Sequence, residues 1–333
     1  MSTVWQRLRA ARARRDPEVV LTRADVADLL ERAPRALAVD PAYEDRTGFD
    51  VDFMPVRVPL PLLDPTIADD AAIPVEGGAD PVLRYHHFSV VLSRSRRLAR
   101  WTAVNLDGRR RYVTDRSSDS WALDPRLPES EQVGESLYAD NDLDRGHLVR
   151  RQDPVWGDTL EEALAANDDT FHFTNCAPQH ADFNQSPDTW LGLEDYILNT
   201  VADQQLRAAV LTGPVLGADD PVYREVAIPV AFWKVVATVD EAGELHATAY
   251  VLQQEDLVGG LGPRLDGTGP VFGPYRMFQV PVTDVEAMTL LDLGPLRDAD
   301  PLAGTAGDGG APAEGAGIGS RMRPVRSYAD IVR

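Results

Sequence analysis

Two long apolar runs, residues 226–239 and 245–253, are separated only by a polar turn at Glu241-Ala242-Gly243. So short a connection brings the chain back beside itself, and the two runs are expected to pair as antiparallel strands. Residues 87–92 and 100–106 are also strand-like, rich in Val, Trp and Thr, and the second run ends in a turn at Asp107-Gly108. Phe171-His172-Phe173-Thr174 alternates as a short strand, and further strands are expected at 208–212 and near 278–282. Before the last group, Ser186-Pro187 supplies an N-cap and an N1 proline. Trp190, Leu193, Ile197 and Val201 then recur on one side of a helix. Strands, a central helix and more strands make an α+β fold with a mostly antiparallel sheet.

The chain has 333 residues, 44% of them hydrophobic, enough for one large domain with an appendage or for two modest ones. No apolar run approaches the roughly 20 residues that cross a bilayer, so no membrane association is expected. Residues 1–15 lack the apolar core of a cleavable leader. They are rich in Arg and Ala and free of acids, as a transit peptide can be, while Val4, Trp5 and Leu8 form one stripe of an ordinary amphipathic helix. Residues 1–40 read as two helices. The second opens at Thr22 with Asp25 at capping-box spacing and stops at Pro34. Prolines 55, 59, 61, 65 and 74 make the following stretch extended. Residues 1–80 are thus read as a helical and extended arm, 81–300 as the main domain, and 301–333 as a Gly/Ala-rich linker with a basic tail. That tail, with Arg321, Arg323, Arg326 and Arg333, is expected either without order or docked on something acidic, this chain included. One cysteine, Cys176, excludes an intrachain disulfide and suits a bacterial cytoplasm.

A net charge of −20 argues against a protein that coats nucleic acid, because neutralising phosphates takes cations. It leaves room for a local basic groove. Arginines cluster at 94, 96, 97 and 100, at 109–111, and at 145, 150 and 151. Each cluster reads either as part of such a groove or as a solvated face with compensating ion pairs.

Residues 142–194 hold the groups that hydrolysis of a phosphodiester needs: a base for the attacking water, positive charge for the phosphorane, and help for the leaving oxygen. His147 has the side chain poised near neutral pH. Arg145, two residues earlier on the same strand face, can grip a phosphate oxygen pair. Asn175 and Asn184 are neutral oxygen donors, and Glu194 lies in the middle of the helix. Mg²⁺ keeps most of its waters and takes few protein oxygens, so a site with one asparagine ligand is chemically reasonable. Each residue alone also has a plain structural reading, and Asp144 is read as structural. Cys176 with His180 could suggest a thiol nucleophile, and His86 and His87 a nucleic-acid contact, though packing accounts for all four.

Taken together, Asp144-Arg145-Gly146-His147, then Phe171-His-Phe-Thr-Asn-Cys-Ala-Pro-Gln179, Phe183-Asn184-Gln185, and Trp190 with Leu193-Glu194 resemble the DNA/RNA non-specific endonuclease family. This is the ββα-metal group that includes mitochondrial endonuclease G. The resemblance extends over about residues 80–295, with flanking stretches at His87-Phe-Ser-Val-Val, Trp101-Thr-Ala-Val-Asn105, Thr212-Gly-Pro-Val215 and Ala231-Phe-Trp-Lys-Val235. It implies a ββα-metal fold and Mg²⁺-dependent cleavage of DNA and RNA to 5′-phosphate ends, with Mn²⁺ a second candidate. By the same resemblance His147 is the general base, Asn184 the direct metal ligand and Glu194 the holder of the metal's waters. Arg145 stabilises the transition state, Asn175 braces the site, and a substrate arginine falls among Arg109, Arg110 and Arg111. The segment between Asn184 and Trp190 is longer than in typical members, which bears on Glu194. The partners implied are DNA and RNA substrates, a homodimer, and a regulatory or inhibitor protein. The last follows because a nuclease without an export signal must be restrained in its own cell, as a defence effector or toxin would be. A catalytically silent nucleic-acid-binding homologue and an exported nutritional nuclease are the rival readings.

Overall fold

The computed structural model describes residues 19–20, 43–76, 78–114, 120–185, 190–254, 258, 276–303, 322–325 and 330–332. Ten strands carry the architecture: β1 Leu83–Arg84, β2 Phe88–Ser93, β3 Leu98–Asp107, β4 Leu143–His147, β5 Cys176–His180, β6 Arg207–Val215, β7 Ala231–Val239, β8 Leu245–Gln253, β9 Arg276–Val280 and β10 Arg323–Pro324. Eight of them form one sheet in the order β10-β9-β8-β7-β6-β3-β2-β1, every pairing antiparallel. The tight turn between β7 and β8 contains Gly243 at φ 83, a conformation glycine adopts without strain. β4 and β5 stand apart as a two-stranded antiparallel ribbon. Among the described residues the helices of five residues or more are α1 Leu160–Asp169, α2 Ala181–Gln185, α3 Trp190–Asp203 and α4 Val282–Thr289. None of the helices described is long and apolar enough to cross a membrane.

Strand alternation gives the sheet two buried faces. On one, Phe88, Val104, Val210 and Phe232 pack under Leu193, Ile197, Leu198 and Val201 of α3 and under Phe183, Leu148 and Ala177. On the other, Trp101, Leu211 and Trp233 pack under Phe49, Phe53, Met54 and Val58, and under Val282, Val285 and Leu296. Residues 43–58, read from sequence as part of an arm, are therefore a wall of the core. Arg46 ties them down further, its Nε donating to both carboxylate oxygens of Asp169 at 3.0 Å. Leu62–Leu63 pairs with Leu291–Asp292. The described part of the C-terminal tail docks on the same chain: β10 extends the sheet edge, and the Gln279 side chain bonds the backbone N and O of Val332 at 2.9 and 2.8 Å.

Four elements differ from expectation. Residues 171–174 are not a strand. Phe173–Asn175 is a 3-10 turn closed locally by Asn175 N–H to His172 O at 2.8 Å, and the strand begins at Cys176. The run 226–239 is broken at Pro229, which has no N–H to give a ladder, and only Ala231–Val239 joins the main sheet. Helix α1 was not anticipated. Its N-cap is Thr159, whose side chain accepts from the Glu162 amide, and its buried side is mostly Ala and Asn. The last expected strand ends at Val280. Pro281 caps α4, so Val282 opens a helix. The helices read in 1–40, the Ser186-Pro187 cap and the 303–319 linker fall almost wholly outside the described residues. Val19–Val20 is a strand paired parallel to Tyr112–Val113.

Candidate active site

The β4–β5 ribbon sets Asp144 opposite Gln179, Arg145 opposite Pro178, Gly146 opposite Ala177 and His147 opposite Cys176. Gly146 is required by close approach. A Cβ there would lie 2.1 Å from Gln179 Oε1 and 2.6 Å from its Cγ, because that fully buried side chain lies across the glycine. Arg145 and His147 share the opposite side of the ribbon, along a row of aromatic rings. The Arg145 guanidinium sits 5.7 Å over Tyr138, Tyr138 stacks on Phe173 at 6.2 Å, and Phe173 meets Trp121 at 5.7 Å. Trp121 in turn lies 4.7 Å from the His147 ring, with Phe171 edge-on at 5.1 Å. These rings leave the half-buried imidazole little rotational freedom.

Asn175 fixes the chain just beyond His147. Its Oδ1 accepts from Val149 N–H at 2.9 Å, and its Nδ2 donates to Val149 O at 2.9 Å and Thr170 O at 3.0 Å. The Asn175 carbonyl accepts from Leu148 N–H at 2.9 Å, so both main chain and side chain hold residues 148–149. Asn184 reaches the ribbon from α2. Its Nδ2 donates to Asp144 Oδ2 at 3.0 Å, which directs the carboxamide oxygen elsewhere as an acceptor. The start of α2 is pinned to the ribbon by Ala181 N–H to Asp142 O at 2.9 Å. Arg145 donates to Glu135 through two nitrogens, Nε to Oε2 at 2.9 Å and Nη2 to Oε1 at 2.5 Å.

Glu194 lies in a buried ionic cluster. Its Oε1 accepts from Lys234 Nζ at 3.2 Å, its Oε2 is 3.8 Å from Arg150 Nε, and Arg150 Nη2 donates to Asp195 at 2.5 Å. Burial pushes the Glu194 carboxyl up to about 7, with Lys234 and Arg150 opposing the shift and the buried Asp153 reinforcing it. Asp153 is itself raised by burial, against the pull of Lys234, Arg150 and Arg111. Sequence reading missed Lys234 and Asp153. Lys234 had a signal, being the only lysine in a chain whose other cations are all arginine. Glu135, ten residues before Arg145 on a loop, had none.

The other candidates are spoken for by the fold. Arg109 Nε donates to Gln205 O, and Arg110 pairs with Asp107 and Asp158 over the Trp156 ring. Arg111, half-buried, feels the Asp153 charge. Arg94 bonds Asp69 O, Arg96 pairs with Asp220, Arg97 bonds Glu225 O and Arg100 pairs with Asp70. Arg96, Arg100 and Arg110 are thus paired with carboxylates, while Arg94, Arg97 and Arg109 are held by backbone carbonyls, which neutralise no charge. Burial pushes the Cys176 thiol up to about 12, which removes it as a nucleophile. His86 bonds Asp169, and His87 stacks on Trp156 at 3.5 Å, both in packing roles.

The donor set suits a hard divalent cation. The Asn184 carboxamide oxygen is oriented by Asp144, and the buried Gln179 amide on the Asp144 side of the ribbon has neither polar atom bonded. Glu194 fits less simply, since both its oxygens face cations of this chain.

The model of the DNA/RNA non-specific endonuclease family matches residues 71–298. An uncharacterized protein of Sinorhizobium fredii, y4fB, is 44% identical over 253 residues, covering 73% of this chain and 38% of that protein. Human mitochondrial endonuclease G is 27% identical over 192 residues, covering 54% of this chain and 56% of that protein. The chain therefore spans less than two thirds of the length of these relatives. A solved structure, the EndoG/EndoGI complex, aligns with 70% of this chain and 91% of that one at a TM-score of 0.49 and 21% identity.

Proposed function

The chain belongs to the DNA/RNA non-specific endonuclease family, and on that premise we propose that it hydrolyses phosphodiester bonds of DNA and RNA without sequence specificity, using Mg²⁺. The observation that carries this reading is the shared ribbon. His147 ends the strand on which Asp144 holds Asn184, so a base and a neutral oxygen ligand are set by one element.

In this reading His147 takes the proton of the attacking water, its ring confined by Trp121 and Phe171 and its backbone by Asn175. Arg145 donates two parallel hydrogen bonds to the phosphate as its charge grows. Asn184 would hold the cation directly, and Glu194, whose oxygens face Lys234 and Arg150, would reach it only through water. When bound, the cation supplies positive charge to the leaving 3′-oxygen. The Lys234 and Arg150 cations keep Glu194 fixed in the second turn of α3.

Digestion of plasmid and of RNA by the purified protein tests this. Cleavage in Mg²⁺, none in EDTA, and 5′-phosphate ends are expected; both substrates intact under several divalent metals would leave a nucleic-acid-binding homologue. We also propose that such an enzyme is restrained in the cytoplasm of its own cell, as a defence effector or toxin, since it would otherwise attack its maker. Cell fractionation that finds it outside would make it an exported nuclease instead.

A further inference from the structure

We propose that Glu135 is a carboxylate latch on Arg145, holding in the ligand-free protein the place that a backbone phosphate of the nucleic acid takes on binding. This rests on Arg145 as a phosphate contact. The pair is the two-nitrogen, two-oxygen fork that a guanidinium offers to carboxylate and phosphate alike, at 2.9 and 2.5 Å. Its partners differ in exposure. The Arg145 side chain is 33% exposed and lies against Tyr138, whereas the Glu135 side chain is 57% exposed. The carboxylate can therefore turn out into water while the arginine stays.

The loop that carries Glu135 is held so that only the side chain need move. Leu137 and Tyr138 are buried beneath it with Phe173 and Cys176. Arg224 Nη1 donates to the carbonyls of Ser136, Leu137 and Ala139 at 2.8, 3.3 and 2.7 Å. Asn141 Nδ2 donates to Leu137 O at 2.7 Å just before β4 begins. Arg224 and Glu225 sit at the tip of a short hairpin with φ of 48° and 63°, a left-handed conformation costly for both. That tip thus aims Arg224 at the Glu135 loop, and the loop aims Glu135 at Arg145. A ligand must displace the latch, which favours a nucleic-acid strand that makes several contacts over a lone anion.

The test is the affinity of a fluorescent single-stranded DNA in EDTA, where binding is read without cleavage, for wild type, Glu135→Gln, Arg145→Gln and the double variant. Glu135→Gln keeps the shape and removes the competing charge. It should bind about 1.5- to fivefold tighter, the range of one exposed ion pair. The slope of log Kd against log salt should stay that of wild type, since Arg145 meets the phosphate in both, and should flatten by about 0.7 in Arg145→Gln, which loses one phosphate contact. The double variant should match Arg145→Gln. Unchanged affinity in Glu135→Gln beside a weakened Arg145→Gln overturns the latch but leaves Arg145 as a phosphate contact. Equal tightening with and without Arg145 overturns it too, since Glu135 then acts by general repulsion. If Arg145→Gln binds as wild type, the phosphate reading of Arg145 itself fails.

Discussion

Replacing Asn175 by Asp keeps the shape of a fully buried side chain and inverts one edge of it. The oxygen that accepts from Val149 N–H survives, but the Nδ2 that donates to Val149 O at 2.9 Å and Thr170 O at 3.0 Å becomes an oxygen facing two carbonyls. Ionised, that carboxylate would lose two hydrogen bonds and its hydration, so it stays protonated in the folded state and donates one bond. Holding the proton at pH 7 against an unfolded value near 3.9 costs about 4 kcal/mol, and the second lost bond about 1 kcal/mol more. The sign follows from the raised folded pKa. The penalty is absent below the unfolded value and grows as pH rises towards the folded one. At roughly 2 °C per kcal/mol for a chain of this size, Asn175→Asp should melt about 10 °C below wild type at pH 7 and about 2 °C below it near pH 4. Asn175→Ala should lose about 3 kcal/mol with no such pH dependence, because it strands three backbone groups without adding a charge. Melting both variants in EDTA across this range decides the matter. An Asn175→Asp that tracks wild type at every pH would show that the amide does not hold residues 148–149.

Other substitutions probe the core around the site. Lys234→Met leaves Glu194 buried beside only Arg150 and should cost about 3 kcal/mol, partly recovered by adding Glu194→Gln, read from denaturant melts. Burial raises the Glu194 carboxyl from 4.5 to about 7, so its share of stability falls as pH rises through that window. Glu194→Gln should flatten that slope in EDTA. Gly146→Ala forces the Gln179 side chain off the ribbon and should cost about 1–3 kcal/mol, which Gly146→Ala with Gln179→Ala should largely restore. Removing residues 1–75 takes Phe49, Phe53, Met54 and Val58 from the core, so the truncated protein should fail to fold by circular dichroism.

The sheet was legible because strand and turn signals are local. The turn at Glu241-Ala242-Gly243 and the strand 245–253 stand where the sequence puts them. The misses arose where a local signal met a tertiary partner. Phe171 to Thr174 alternates like a strand, yet Phe173 N–H goes to Ala122 O at 2.9 Å, and the chain turns before a ladder can start. Helix α1 buries little more than Leu160, Ala163 and Ala166 on its apolar side, too weak a stripe to read. In the site, motif order nominated the residues, and long-range contacts decided their company. Asp144, read as structural, orients Asn184 across 40 positions, and Glu194 lies beside Lys234, also 40 positions away. The arginine clusters left a groove and a solvated face both open, and a chain with 53 acidic residues supplies most of them with carboxylates or carbonyls of its own.

If His147 is the base of a metal-dependent nuclease, the single-turnover rate of plasmid nicking in Mg²⁺ by His147→Ala decides it, after circular dichroism and melting show the fold intact. Loss of a positioned base predicts a rate about 10²- to 10⁴-fold below wild type, with DNA affinity in EDTA unchanged. A variant that nicks at the wild-type rate would show that His147 is not the base.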